Sequence, residues 1–98
     1  MHMAGYVGLC KFTPKGLETL KDMPEALKRT RALAEEMGIR LIGIWITMGE
    51  YDMVGIADVP DDRTAAQFSL ALCATGQVTT MTMRALSEEE FAQVVAKL

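Results

Sequence analysis

The chain has 98 residues and a formal net charge of −3, with an isoelectric point near 5.0. That length makes one domain, and the acidic balance excludes a dedicated nucleic-acid binder, which presents a basic surface. The longest apolar run, Leu41 to Met48, falls far short of the roughly 20 residues a membrane-spanning helix needs. Yet 50% of the residues are hydrophobic, while a chain this short buries only about two-thirds of its unfolded surface. The surplus apolar surface is expected to be buried against another copy, giving a homodimer or a higher even-numbered homo-oligomer.

Cys10 and Cys73 have neither metal-type nor redox-type spacing. No secretory signal is read ahead of them, so free thiols in a reducing cytoplasm are expected. His2 is the only histidine, and Met1-His2-Met3 reads as partly an expression remnant. No metal site, cofactor, Ser-His-Asp triad or Cys-His pair is expected. Lys28, Arg29 and Arg31 read as a solvated helix face.

Ala4 to Phe12 reads as a strand closed by Thr13-Pro14, a good helix cap followed by a residue suited to the first turn. Helical spacing of Leu17, Leu20, Leu27, Leu33 and Met37 follows, interrupted by Pro24, which cannot donate within a helix. Two pieces are expected: Pro14 to about Lys21, then Pro24 to Met37, with Asp22 capping the second and Gly38 ending it. Ile39 to Met48 and Tyr51 to Ala57 read as a hairpin turning at Gly49-Glu50. Pro60-Asp61-Asp62 opens a helix that runs to about Thr75, with acidic residues at its positive end. Val78 to Leu86 alternates as a strand. Ser87 and Glu90 form a capping box for a last helix, Glu88 to about Ala96.

The order β-α-β-β-α-β-α is a split βαβ arrangement with an added helix. Right-handed crossovers give an antiparallel sheet ordered 4-1-3-2. The fold class is α+β, a ferredoxin-like βαββαβ sandwich. Alternation divides the strands into two faces. Val7, Leu9, Ile42, Ile44, Ile46, Val54, Ile56, Met81 and Met83 form a uniformly apolar face, expected to lie under the helices. Tyr6, Gly8, Cys10, Phe12, Leu41, Gly43, Trp45, Thr47, Tyr51, Met53, Gly55, Ala57, Thr80, Thr82 and Arg84 form a mixed face. Its aromatics, methionine and arginine suit an interface or a ligand pocket, and its glycines mark close approach of something else.

The expected site is therefore a pocket between two sheets of a dimer, lined by Tyr6, Cys10, Trp45, Tyr51, Thr82 and Arg84. Arg84 needs a partner there: Glu50 or Asp58 of a neighbouring copy, or an anionic ligand. Tyr51 and Trp45 offer stacking and a hydroxyl. Cys10 reads as a buried thiol with no histidine to activate it. Lys11 and Asp52 are expected on the helix side at one end of the sheet, as a salt bridge, with Asp52 alternatively capping the helix after Thr13.

Several segments together resemble the GYD domain family. They are Lys11-Phe12-Thr13, the hairpin stretch Gly49-Glu50-Tyr51-Asp52, Pro60-Asp61-Asp62, Gly76-Gln77-Val78 with Thr80 to Leu86, and Glu89-Glu90-Phe91. Gln77 departs from the asparagine common at that turn. The resemblance implies the dimeric α/β-barrel group. That group spans cofactor-free monooxygenases, muconolactone isomerase-like enzymes, haem-degrading enzymes and ligand-binding regulators. Fold alone does not choose among them, and a lone terminal His2 speaks against haem. The reading favoured is a small anionic or aromatic molecule bound without chemistry. A cofactor-free enzyme, with Arg84 holding a carboxylate or enolate and Tyr51 donating a proton, and a structural oligomerisation module are the alternatives.

Overall fold

The computed structural model describes residues 3–98. Met1 and His2 lie outside the described residues, and so does the reading of the N-terminus as an expression remnant. The elements run β1 Ala4–Phe12, α1 Pro14–Glu18, a 3₁₀ turn Leu20–Asp22, α2 Met23–Glu36, β2 Arg40–Ile46, β3 Met53–Val59, α3 Asp62–Ala74, β4 Val78–Ala85 and α4 Glu88–Val95. The sheet is antiparallel in the order β2-β3-β1-β4, the expected ferredoxin-like topology. Among the described residues, no helix is long and apolar enough to cross a membrane.

Local chemistry sets most element ends. The Thr13 hydroxyl accepts from Gly16 N at 3.1 Å, with Pro14 opening α1. Asp61 caps α3 by accepting from Thr64 N at 2.8 Å. Ser87 and Glu90 form the anticipated capping box on α4. Gly38 and Gly76 leave α2 and α3 at φ of 73° and 78°, a region that glycine enters without a Cβ penalty. Asp22 departs from expectation: its backbone is helical and its side chain makes no capping bond, because the 3₁₀ turn runs directly into α2.

The hairpin is also wider than a two-residue turn. β2 ends at Ile46 and β3 begins at Met53, so Gly49-Glu50 is the tip of a longer loop. The Thr47 hydroxyl donates to Tyr51 O at 2.7 Å, while Asp52 turns onto β1. Its N–H donates to Cys10 O at 2.9 Å, and its carboxylate accepts from Phe12 N at 2.9 Å. Asp52 thus closes the end of β1 rather than capping a helix.

The two faces of the sheet are inverted from expectation. Cys10, Met53 and Val78 are buried with Leu27 of α2 and Leu72 of α3 against them. Ala57 and Val59 are buried with Ala34, Ile39 and Ala65, against which Tyr6, Leu41 and Phe68 pack. The mixed face therefore lies under the helices. The apolar face is uncovered: Ile42 is 54% exposed, Trp45 51%, Met81 51% and Met83 41%. An irregularity between Leu41 and Gly43 also shifts β2, so Ile44 pairs with Gly55 on the helix side and Trp45 with Val54 on the open side. The reason is steric. Helices packed closely on a sheet favour small residues beneath them, and Cys10 and Ala57 supply these.

One contact ties the first turn to the far end of β4. Thr13 N donates to Gln77 O at 3.0 Å, Gln77 Nε2 donates to the Thr19 hydroxyl at 3.0 Å, and Gly16 lies against the Gln77 carbonyl. A Cβ at Gly16 would overlap that oxygen, and both sides of the contact are backbone. Gly16→Ala is expected to cost about 2–3 kcal/mol, read from urea unfolding; an unchanged midpoint would show that the turn yields.

Candidate functional site

Between the sheet and helices α2 and α3 lies a cavity of about 200 Å³. Its floor is Gly8 and Gly55, paired directly across β1 and β3. Leu27 and Leu33 of α2 and Phe68 and Leu72 of α3 form its walls, with Cys10, Ile44 and Met53 at one end. A row of hydroxyls lines another side: Ser69 and Thr82 are 2.9 Å apart, and Thr82 and Thr80 3.3 Å.

The expected site residues are split between two places. Tyr6, Cys10 and Thr82 line the cavity, but helices rather than a second sheet cover it. Tyr6 at the rim donates its hydroxyl to Asp62. That bond to a carboxylate pushes the phenol above its ordinary pKa, because ionisation would set two negative charges together. Burial pushes the Cys10 thiol up, against a smaller opposing effect of the Thr80 hydroxyl.

Arg84 shares the face of Tyr6, its register partner, and stands 5.9 Å from the Tyr6 ring centre. The expected partners are Glu50 or Asp58 of a neighbouring copy or an anionic ligand; within its own chain Arg84 already has a partner. The guanidinium donates to Glu90 Oε2 at 3.2 Å, to Gly5 O at 3.3 Å and to Ala85 O. Glu90, accepting from Ser87 N and from Arg84, is held below the ordinary carboxylate range. The pair is a strap between β4 and α4.

Trp45 and Tyr51 lie apart from the cavity. The indole folds over Gly43 on the open face, leaving no room for a Cβ there. The Tyr51 ring lies under the Lys11 ammonium, 5.3 Å from its centroid, and its hydroxyl is 3.8 Å from Met81 Sδ. Lys11 pairs with Thr79 on the open face and its ammonium lies over Tyr51, while the Asp52 carboxylate accepts from Phe12 N; the expected Lys11–Asp52 salt bridge is not among the ion pairs of the described residues. Gly49, at φ 130°, has open space around it.

Ser69, Phe68, Leu72, Asp62 and Glu90 were absent from the expected site. Asp62, Ala65, Ser69 and Leu72 recur at helical spacing, which puts them on one side of α3. That spacing was available; which sheet face they would meet was not.

The arrangement defines a ferredoxin-like domain with a closed helical side and an open apolar side. The chain belongs to the GYD domain family, whose model matches residues 6–95. It is 32% identical over 97 residues to a Thermus thermophilus protein described as a glutamine synthetase and cystathionine beta-lyase binding protein. The alignment covers 98% of this chain and 99% of that relative.

The shifted groups predict a falling stability in alkali. Where a thiol's folded pKa is raised, the unfolded chain loses its proton first, so stability declines once pH passes the unfolded value of about 8.5. Tyr6 adds a second decline beginning near pH 10, by the same sign. In urea titrations Cys10→Ala should flatten the first decline and leave the second. A profile identical to wild type would remove Cys10 as its source.

Proposed function

We propose that this protein works by binding other proteins, as a homodimer joined through the open face of its sheet. The observation that carries this reading is that its two most apolar surfaces are uncovered by its own chain. One is the sheet face of Val7, Leu9, Trp45, Val54, Ile56, Met81 and Met83. The other is the stripe Phe91, Val94, Val95 and Leu98 on and just beyond α4, where Phe91 is 60% exposed and Leu98 97%.

A second copy suits the sheet face. Four strands, taken at the seven-residue length of the shorter two, present roughly 19 by 23 Å, or about 440 Å² before side-chain relief. A standard interface takes about 800 Å² of accessible surface from each partner, so the two are of the same order. The charges on this face sit at its margins: Lys11 at one end, and Arg40 with Asp58, 3.6 Å apart, at the other. An apolar centre that meets itself across a two-fold axis leaves no charge stranded. The barrel made by two such sheets is the assembly that the family resemblance implied.

The helix stripe suits a different partner. Its residues recur at i, i+3, i+4 and i+7, the pattern by which an amphipathic helix enters an apolar groove. The Arg84–Glu90 strap holds the helix at the edge of the domain. The full-length relative described as binding glutamine synthetase and cystathionine beta-lyase supports enzymes of this kind as partners.

Met81→Glu places a carboxylate within the proposed dimer contact, on the apolar face of strand β4 beside Leu9. The dimer dissociation constant is expected to rise at least ~100-fold, read by sedimentation velocity. Phe91→Ser with Val94→Ser should leave the dimer intact and abolish calorimetric binding to glutamine synthetase and cystathionine beta-lyase. A wild-type protein that sediments as a monomer at micromolar concentration would overturn the dimer. Loss of the dimer in the helix variant would instead put α4 within the contact between copies.

A further inference from the structure

The cavity lies on the opposite side of the sheet from the dimer face, and its floor carries an observation of its own. Gly8 and Gly55 are neighbours across β1 and β3. Neither is among the glycines of positive φ, so backbone conformation does not require them. Nor does packing within the protein. A Cβ at Gly8 would meet the Thr80 hydroxyl at 3.6 Å, an ordinary contact, and one at Gly55 would meet only the Gly43 carbonyl at 4.0 Å. Glycine inside a strand weakens it relative to residues with side chains. Here two adjacent glycines accept that weakness where nothing else of the chain fills the space above them.

We infer that the space over Gly8 and Gly55 is a binding site for a small, uncharged, mainly apolar molecule carrying one hydroxyl or carbonyl group. The volume of about 200 Å³ exceeds the ~150 Å³ of a dry cavity that takes up benzene. A single substituted ring or a short branched chain fills it. Leu27, Phe68 and Leu72 provide its apolar contact. The hydroxyl row Ser69, Thr82 and Thr80 provides a polar wall beside the sheet, each group able to turn as donor or acceptor.

The charge distribution selects the uncharged form. Among the described residues, the only charged side chain bordering the cavity is Arg29, on the exposed side of α2. Arg84 is engaged by Glu90 and by the Gly5 and Ala85 carbonyls. An anion entering the cavity would be desolvated, and the bordering cation, Arg29, sits on the exposed side of α2.

The test is a titration of isotope-labelled protein with p-cresol, followed by NMR. Saturable shifts are expected at the Gly8 and Gly55 amides and the Thr80 and Thr82 methyls, with Kd on the order of 0.1–1 mM. Benzoate, of similar size but charged, should bind at least ~10-fold more weakly. Gly8→Val should fill the floor, weaken p-cresol binding at least ~10-fold and leave the melting temperature unchanged or raised. Gly8→Ala, a smaller change, serves if the valine variant does not fold.

Shifts centred on Met81, Met83 and Trp45 would place the apolar site in the dimer face and overturn the inference. So would benzoate binding as tightly as p-cresol, or p-cresol binding equally to the glycine variants. A lowered melting temperature for Gly8→Ala would show that the space is already used by the protein itself. None of these results depends on whether α4 binds an enzyme, so the inference and the proposed function can fail separately.

Discussion

Everything in this structure follows from a four-stranded sheet that is apolar on both faces while its own chain covers only one. Helices α2 and α3 lie on one side, and the whole domain is only 18 Å deep in its thinnest dimension. The hydrophobic effect is blind to chain identity: it rewards removal of apolar area from water by whatever surface is available. A domain with Met81, Met83, Trp45 and Ile42 in water therefore has an incentive to associate that its internal packing cannot satisfy.

The side it does cover is built from small and medium-sized residues. The buried core consists of Cys10, Met23, Ala34, Ile39, Met53, Ala57, Val59, Ala65 and Val78. Phenylalanine and tryptophan are missing from that set. Small residues let helices approach the strands, and in the middle of the sheet, at Gly8 and Gly55, they leave a gap. Closure of the core and retention of the cavity thus come from one choice of side-chain size.

The ends of the sheet are tied by polar contacts that packing alone would not supply. Asp52 satisfies Phe12 N and Cys10 O beyond the last ladder pair of β1 and β3. Gln77 links β4 to Thr13 and Thr19. Arg84 links β4 to α4. The Asp52 carboxylate and the Arg84 guanidinium satisfy backbone groups directly, and at Gln77 the backbone carbonyl does so while the side chain holds the Thr19 hydroxyl. Asp52, which matches a family motif, and Gln77, which departs from one, both do this structural work.

The family resemblance drawn from Lys11-Phe12-Thr13, Gly49-Glu50-Tyr51-Asp52 and the segments around Gly76 and Glu89 proved sound, since the family's model covers residues 6–95. The elements, their order and most of their caps were legible because they depend on neighbours in the chain. Thr13, Gly38, Asp61, Gly76 and Ser87 act within a few residues of themselves. The split βαβ order then left one sheet topology under the handedness rule. Which face of that sheet met the helices was decided only by the tertiary structure. Period-2 alternation separates two faces but does not label them. The assumption that the more apolar face is the inner one fails here, because the helices cover the other face. Tyr6 and Thr82 were placed on the right strands and the right face, under the wrong cover; Trp45 changed sides because the irregularity at Leu41 and Gly43 shifted its strand. Asp62 and Glu90, the partners of Tyr6 and Arg84, come from helices whose docking no local spacing specifies. They are set by long-range packing, which a single sequence encodes only through the sum of its contacts.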